Sequence, residues 1–319
     1  MTRSVILLET PLKIFIGVTD GKWFDFLSTI PDIDEVNFWQ PSGASVFRAL
    51  LPGELFLFKL RSPLNCIVGG GFFAHSTILP LSLAWDAFGM KNGASSFAGM
   101  KSLIERYRRL DSSAIDYRIG CILLEQPFFF GREEWIPAPT DWKVNIVRGK
   151  TYSTSSEIGR ALWDAVQLRL SARHDYAAGP LVTDPPPRYG RPAIIIPRLG
   201  QGSFRVLVTD AYNRRCAVTR ERTLPALEAA HIKPFSLSGP HSIDNGLLLR
   251  SDLHKLLDTG YVTVTDNYRF EVSRRIREEF ENGHDYYALN GEPLQLPAKR
   301  EFMPSKEYLR WHNENVYLE

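Results

Sequence analysis

The sequence predicts an α+β protein built as two domains. Short β-branched and aromatic runs precede amphipathic helical runs in the first half, and a proline-rich seam separates that half from a second with its own strand, loop and helix pattern. The length of 319 residues agrees, since single domains usually hold about 100–200.

In chain order, KIFIGV (13–18), ELFLFKL (54–60) and CIVGGGFF (66–73) read as strands, being short apolar runs bounded by Gly, Pro or Asn. ASSFAGMKSLIERYRRL (94–110) reads as a helix, with Phe97, Met100, Leu103, Ile104 and Tyr107 at helical spacing and Ser95 or Ser96 as the cap. SEIGRALWDAVQLRLSAR (156–173) is a second such helix. The first domain, 1–183, is therefore expected to be a small curved sheet or open barrel with helices packed against it. The seam DPPPRYGRPAIIIPRLG (184–200) holds five prolines and two glycines and reads as a stiff linker. In the second domain, 201–319, SFRVLVTDAYNRRCAVT opens with a helix or extended segment. ALEAAHIKP then reads as a strand ended by Pro234, FSLSGPHSIDNG as a polar loop, and LLLRSDLHKLLDTG as a short helix closed by Gly260. YVTVTDNYRFEVS (261–273) reads as a hairpin turning at Asp266–Asn267.

Composition is that of a soluble globular chain, 44% hydrophobic and 23% charged, which excludes disorder, collagen and coiled coil. No run of 18 uncharged apolar residues is present, so no membrane partner is expected. The N-terminus meets an acid at Glu9 and lacks a small-residue cleavage site, so it does not read as a signal peptide. Cys66, Cys121 and Cys216 are isolated and odd in number, which fits a cytoplasmic chain without disulfides. Net charge is only +2, but residues 188–222 carry eight arginines against Asp210 and Glu221. That local excess can face phosphates, or it can be a solvated face balanced elsewhere.

Chemistry concentrates in 24 residues, with His231 on a strand, Asn245 at the end of a loop and His254 on a helix. Phosphodiester hydrolysis needs a base to take a proton from water and a hard cation to stabilise the phosphate oxygens. A histidine at a strand end can be that base, and a histidine on the following helix can hold the ion. Asp258 lies at i+4 from His254, so the two share a helical face and can grip one metal. Asn245 can hydrogen-bond across the loop and fix the backbone that carries His231.

The segment CAVTRERTLPALEAAHIKPFSLSGPHSIDNGLLLRSDLHKLLDTGYVTV resembles the HNH endonucleases with a ββα-metal active site, in the branch with "AAHI", "NGLLLR" and "LHKLLD". The resemblance runs over about residues 200–319. It implies His231 as general base, Asn245 as orienting residue and His254 as ligand of a divalent ion, Mg²⁺ or Mn²⁺, with Ni²⁺, Co²⁺ or Zn²⁺ as alternatives. Many HNH enzymes place Asp or His just before the base as a second ligand. Here that position is Ala230, so Asp258 is the favoured replacement and Glu228 the weaker one. His241 reads as a solvated loop histidine. Cys216, without a cysteine nearby, reads as core rather than as a structural zinc ligand.

GELFLFKLRSPLNCIVGGGFFAHSTILPLSLAWDAFG is similar to the PUA-like superfamily, including EVE, YTH and SRA-type domains, several of which read a modified base flipped into an aromatic pocket. Stacking candidates are Trp23, Phe24, Trp39, Trp85 and Phe88, with Asp20, Asn37, Asp86 or Asn92 to read the base edge. Gly69, Gly70 and Gly71 can permit close approach to DNA or form a bulge. Arg214, Arg215, Arg220 and Lys233 are candidates for the DNA backbone. The two resemblances together imply a modification-dependent endonuclease acting on double-stranded DNA that carries a modified base, such as 5-methylcytosine, 5-hydroxymethylcytosine or its glucosylated form. Because one HNH site cuts one strand, double-strand cleavage implies a homodimer, the expected state, or two binding events. The rivals are an endonuclease reading phosphorothioate or no mark, a DNA-binding protein with a vestigial nuclease, and an RNA-directed reader.

Overall fold

The computed structural model describes residues 11–108, 116–177 and 199–319. The chain forms two compact units, Met1–Arg198 and Leu199–Glu319. The seam at 184–198, with Arg188, Arg191 and Arg198, lies outside the described residues. Among the described residues no helix is long and apolar enough to cross a membrane.

The first unit is a mixed sheet with helices against it. Its strands are β1 (Lys13–Thr19), β2 (Glu35–Gln40), β3 (Leu55–Leu60), β4 (Cys66–Pro80), β5 (Arg118–Phe129), β6 (Ile136–Pro137) and β7 (Gly149–Ser153). They lie in the order β2-β5-β4-β3-β1-β7, with β6 on β4. The sheet does not close into a barrel. Among the described residues only β1 and β3 pair in parallel, while β1–β7, β3–β4, β4–β5, β4–β6 and β2–β5 are antiparallel. The helices are α1 (Gly21–Leu27), α2 (Leu81–Phe88), α3 (Phe97–Glu105) and α4 (Glu157–Ala177). Ser96 caps α3 by accepting from the Gly99 amide, and the helix ends at Glu105, before Tyr107 of the apolar pattern.

Period-two alternation explains the two cores. Ile14, Ile16, Leu55 and Leu57 point to one face, where Leu162, Trp163 and Val166 of α4 cover them. Phe56 and Phe58 point to the other face, among Phe15, Phe38, Phe47 and Trp23. β3 is buried along its whole length because both faces are covered. The glycine run belongs to this packing. A Cβ on Gly69 would stand 2.2 Å from the Phe128 carbonyl oxygen, and one on Gly70 2.6 Å from that of Phe56. The register slips between Gly70 and Phe72, so the run forms a bulge inside the sheet.

The second unit opens with helix α5 (Gln201–Ala211), which settles the choice between helix and extended segment. It continues through β8 (Leu227–His231), β9 (Gly246–Arg250), α6 (Ser251–Asp258), β10 (Val262–Val264), β11 (Phe270–Val272), α7 (Arg275–Phe280), α8 (His284–Tyr287) and α9 (Lys306–Asn315). β8 and β9 pair antiparallel from Leu227–Arg250 to His231–Gly246, and α6 follows at once, giving a ββα unit. Leu247, Leu248 and Leu249 are buried with Leu253, Leu257 and Phe204. The run LLLR is therefore strand, and the helix begins only at Ser251. The β10–β11 turn lies at Asp266–Asn267 as expected, closed by the Tyr268 amide on the Thr265 carbonyl. α5 packs closely on the hairpin because Gly246 has no side chain; a Cβ there would meet Val208 at 2.5 Å.

Candidate active site

His231 is the last residue of β8, and its ring stacks on Phe204 of α5 with centroids 3.9 Å apart and planes 12° from parallel. Its Nε2 lies 2.9 Å from Nδ1 of His241. His241, expected as a solvated loop residue, instead stacks on Phe235 at 4.2 Å and completes a cluster of four rings. Periodicity could not reveal this, because the contact joins a loop residue to a strand end. Only the spacing of two histidines ten residues apart around Pro234 and Pro240 hinted at a closed loop.

Asn245 is fully buried and holds that loop shut. Its Oδ1 accepts from the Lys233 amide at 2.9 Å, and its Nδ2 donates to the carbonyls of Lys233 at 3.0 Å and Pro240 at 2.9 Å. Its own carbonyl accepts from the Ile232 amide. Both arms of the loop are thus pinned directly beside His231.

His254 of α6 sits between two carboxylates. Its Nδ1 is 2.6 Å from Glu228 Oε2 and its Nε2 is 3.3 Å from Asp258 Oδ2. Glu228 of β8, ranked below Asp258 on sequence, makes the shorter contact because it lies on the strand facing α6. Ala230, where a second ligand often stands, is fully buried. Among the described residues no group of three His, Cys, Asp or Glu is arranged to hold a metal ion. The donor chemistry nonetheless fits a hard cation. With a proton on Nδ1 shared with Glu228, the lone pair on Nε2 faces the Asp258 carboxylate. Ions such as Mg²⁺ commonly take only one or two protein carboxylates and complete their shell with phosphate oxygens and water.

The electrostatics favour a neutral His231. Burial, then the nearby charges of His241 and His254, push its pKa down to about 4. Burial raises the Asp258 pKa, opposed by His254 and His312. The sign follows for His231. An unfolded histidine binds its proton near pH 6.5, so the folded state is favoured fully above that pH. Its advantage is lost as the pH falls from about 6.5 through about 4. In an imidazole-detected NMR titration His231 is expected to titrate near pH 4, and a midpoint above 6 would contradict this environment.

The backbone candidates are less concentrated. Arg214 is paired with Asp210 at 3.3 Å, Arg215 is half-buried and Arg220 is exposed. Lys233 lies over the Trp311 ring at 5.3 Å. Cys216 is buried, and its sulfur accepts from the Thr219 amide.

In the first unit the expected aromatic pocket is not assembled. Trp23, Phe24 and Trp39 are only 2%, 6% and 8% exposed, because the second face of the sheet needs large rings to fill it. Trp39 Nε1 donates to the Asn92 carbonyl, and Asn37 Nδ2 donates to Asn92 Oδ1 at 2.8 Å, so both tie β2 to the turn after α2. Phe88 and Asn92 are buried there too. Asp20 is the N-cap of α1 and accepts from Tyr107 Oη. Trp85 is half-buried against Phe97, and Asp86 is exposed on α2.

Residues 216–265 match the family model HNH_2, described as HNH endonuclease, and this span holds His231, Asn245, His254, Glu228 and Asp258. No curated protein matches the chain. Among solved structures the chain is similar to one titled "Modification dependent TagI restriction endonuclease", at 15% identity and a TM-score of 0.30, covering 95% of this chain and 83% of that one. That likeness is too low to transfer a property between the two.

Proposed function

We propose that this chain is a metal-assisted HNH endonuclease that cuts double-stranded DNA carrying a modified base. The observation that carries the nuclease half is the ββα unit in which His231, pinned by Asn245, stands beside His254 with carboxylates on both ring nitrogens. The match of residues 216–265 to the HNH family supports it. The reader half rests on the resemblance of the first unit to PUA-like domains.

In this reading Nε2 of His231 donates to Nδ1 of His241, which leaves Nδ1 of His231 to take the proton from the attacking water. Among the described residues that nitrogen has no hydrogen-bond partner. Burial keeps the ring unprotonated at neutral pH, as a base must be. Phe204 fixes the ring plane and Asn245 fixes the backbone. His254 and Asp258 would hold the divalent ion, with Glu228 orienting the His254 ring. When bound, the ion supplies charge stabilisation to the phosphate oxygens and the leaving group. Arg214, Arg215, Arg220 and Lys233 supply phosphate contacts, and a homodimer supplies the second cut.

His241 is a positioning residue in this scheme. His241→Ala is expected to lower kcat roughly 10- to 100-fold, the size seen when a histidine loses its orienting partner, with little change in KM for DNA. It is also expected to redistribute the His231 tautomers seen in ¹⁵N spectra. An unchanged kcat would remove His241 from the site. Cleavage of duplex DNA that persists in excess chelator would reject the metal-assisted reading itself.

A further inference from the structure

Helix α9 packs against both arms of the ββα site. Its N-cap residue Ser305 donates its amide to the Asp244 carbonyl at 2.8 Å, next to Asn245. Trp311 lies under Lys233 Nζ, which follows His231 by two residues. Leu309 anchors the helix in the apolar core. Past the helix, the Leu318 amide donates to the Gly260 carbonyl at 2.9 Å. A Cβ on Gly260 would stand 2.1 Å from the Val316 carbonyl oxygen, so the chain after α9 lies directly on the end of α6.

His312 of α9 is 2% exposed, and a polar ring at such a depth must be hydrogen-bonded to be tolerated. Its Nε2 lies 3.0 Å from the Leu257 carbonyl oxygen, which can only accept, so Nε2 carries a proton and donates. Its Nδ1 lies 2.8 Å from Thr263 Oγ1 on β10. Thr263 is itself buried and held by Asn313, whose Nδ2 donates to the Val264 carbonyl. Both ring nitrogens are engaged, which fixes the orientation of the ring. Leu257 stands in the last turn of α6, where carbonyls lack the usual helical partner. The Gly260 amide reaches this one from one side and His312 from the other. The Leu257 carbonyl and the Asp258 nitrogen belong to one planar peptide. Gripping that carbonyl therefore sets the plane from which Asp258 departs. His312 stands near enough to Asp258 for the two charges to interact.

We propose that Thr263 and His312 position Asp258 for the divalent ion, so that α9 serves the metal site without touching the ion. This rests on the metal-assisted reading above, in which Asp258 is a ligand. His312 is a positioning residue that acts through the 257–258 peptide, as outer-shell partners act on the ligands they hold. Without its hydrogen bond the last turn of α6 loosens, and the Asp258 carboxylate is no longer kept 3.3 Å from His254 Nε2.

The test is Mn²⁺ binding to the full chain by calorimetry, without DNA, in wild type and variants checked by thermal melt. His312→Leu removes the donor and is expected to weaken Mn²⁺ binding roughly 10-fold, the low end for losing an outer-shell partner. His312→Gln keeps a donor for Leu257 and is expected to recover most of that affinity. In the Asp258→Asn background His312→Leu is expected to cost less than about twofold, because the two changes then act on one lost interaction. A folded His312→Leu variant that binds Mn²⁺ like the wild type overturns the proposal. So does a loss of equal size in both backgrounds, or a Gln variant as weak as the Leu variant, since either reports general packing. If His312→Leu does not fold, Thr263→Val decides: it keeps the side-chain shape and removes only the hydroxyl that orients the ring. It is expected to weaken Mn²⁺ binding in the same direction, and wild-type affinity there overturns the proposal. Wild type that binds no Mn²⁺ instead rejects the metal-assisted reading, and this inference falls with it.

Discussion

His231→Ala is expected to lower DNA cleavage by at least about 10²-fold, and up to about 10⁴-fold, the contribution of a positioned general base. DNA binding and the thermal melt are expected to stay close to wild type. The separation follows from geometry. Phe204 and His241 hold the ring from one face and one nitrogen, while the backbone around it is fixed independently by Asn245. Removing the imidazole therefore removes the proton acceptor without opening the loop. A variant retaining more than a few per cent of activity would end the assignment. Asn245→Ala makes the contrast, because it leaves the Lys233 amide and two carbonyls without their partner inside the protein. It is expected to lose stability as well as activity, at about 1–3 kcal/mol for each buried group left unsatisfied.

The second large effect is expected at His254. His254→Ala is predicted to be inactive and, unlike His231→Ala, to bind Mn²⁺ more weakly in calorimetry. The loss should be at least the roughly 10- to 100-fold seen when only a ligand's supporting partner is removed. The two carboxylates then separate by role. Asp258 faces Nε2, so Asp258→Asn should raise the metal concentration needed for half-maximal cutting. Glu228 contacts Nδ1, and Glu228→Gln keeps an acceptor there, so its effect should be smaller. Equal metal affinity in His254→Ala and wild type would place the ion elsewhere. The reverse order of the carboxylates would make Glu228 the ligand.

The geometry explains which parts of the site could be read from sequence. His231, Asn245 and His254 share one hairpin and its following helix, so their proximity follows from local connectivity. The spacing of His254 and Asp258 likewise forces a shared helical face. Glu228 was harder to rank, because its contact depends on how α6 packs across β8 rather than on either element alone. His241 was missed because its position is set by Phe204 and Phe235, rings from a helix and a turn that only the tertiary fold brings together. The first unit shows the opposite error. Aromatic residue type marked Trp23, Phe24 and Trp39 as binding candidates, but a sheet covered on both faces consumes large rings as core. β2 and β7 carry polar or charged residues such as Glu35, Asn37 and Lys150 among their apolar ones, which hid them as strands.

The measurement that bears most directly on the whole account is digestion of the four matched duplexes, carrying cytosine, 5-methylcytosine, 5-hydroxymethylcytosine or glucosylated 5-hydroxymethylcytosine, by wild type and His231→Ala with Mg²⁺ or Mn²⁺. The account predicts cleavage of at least one modified duplex by the wild type, little or none of the plain one, and none by the variant or in chelator. Equal cleavage of all four duplexes, or cleavage that survives the loss of His231, would contradict it.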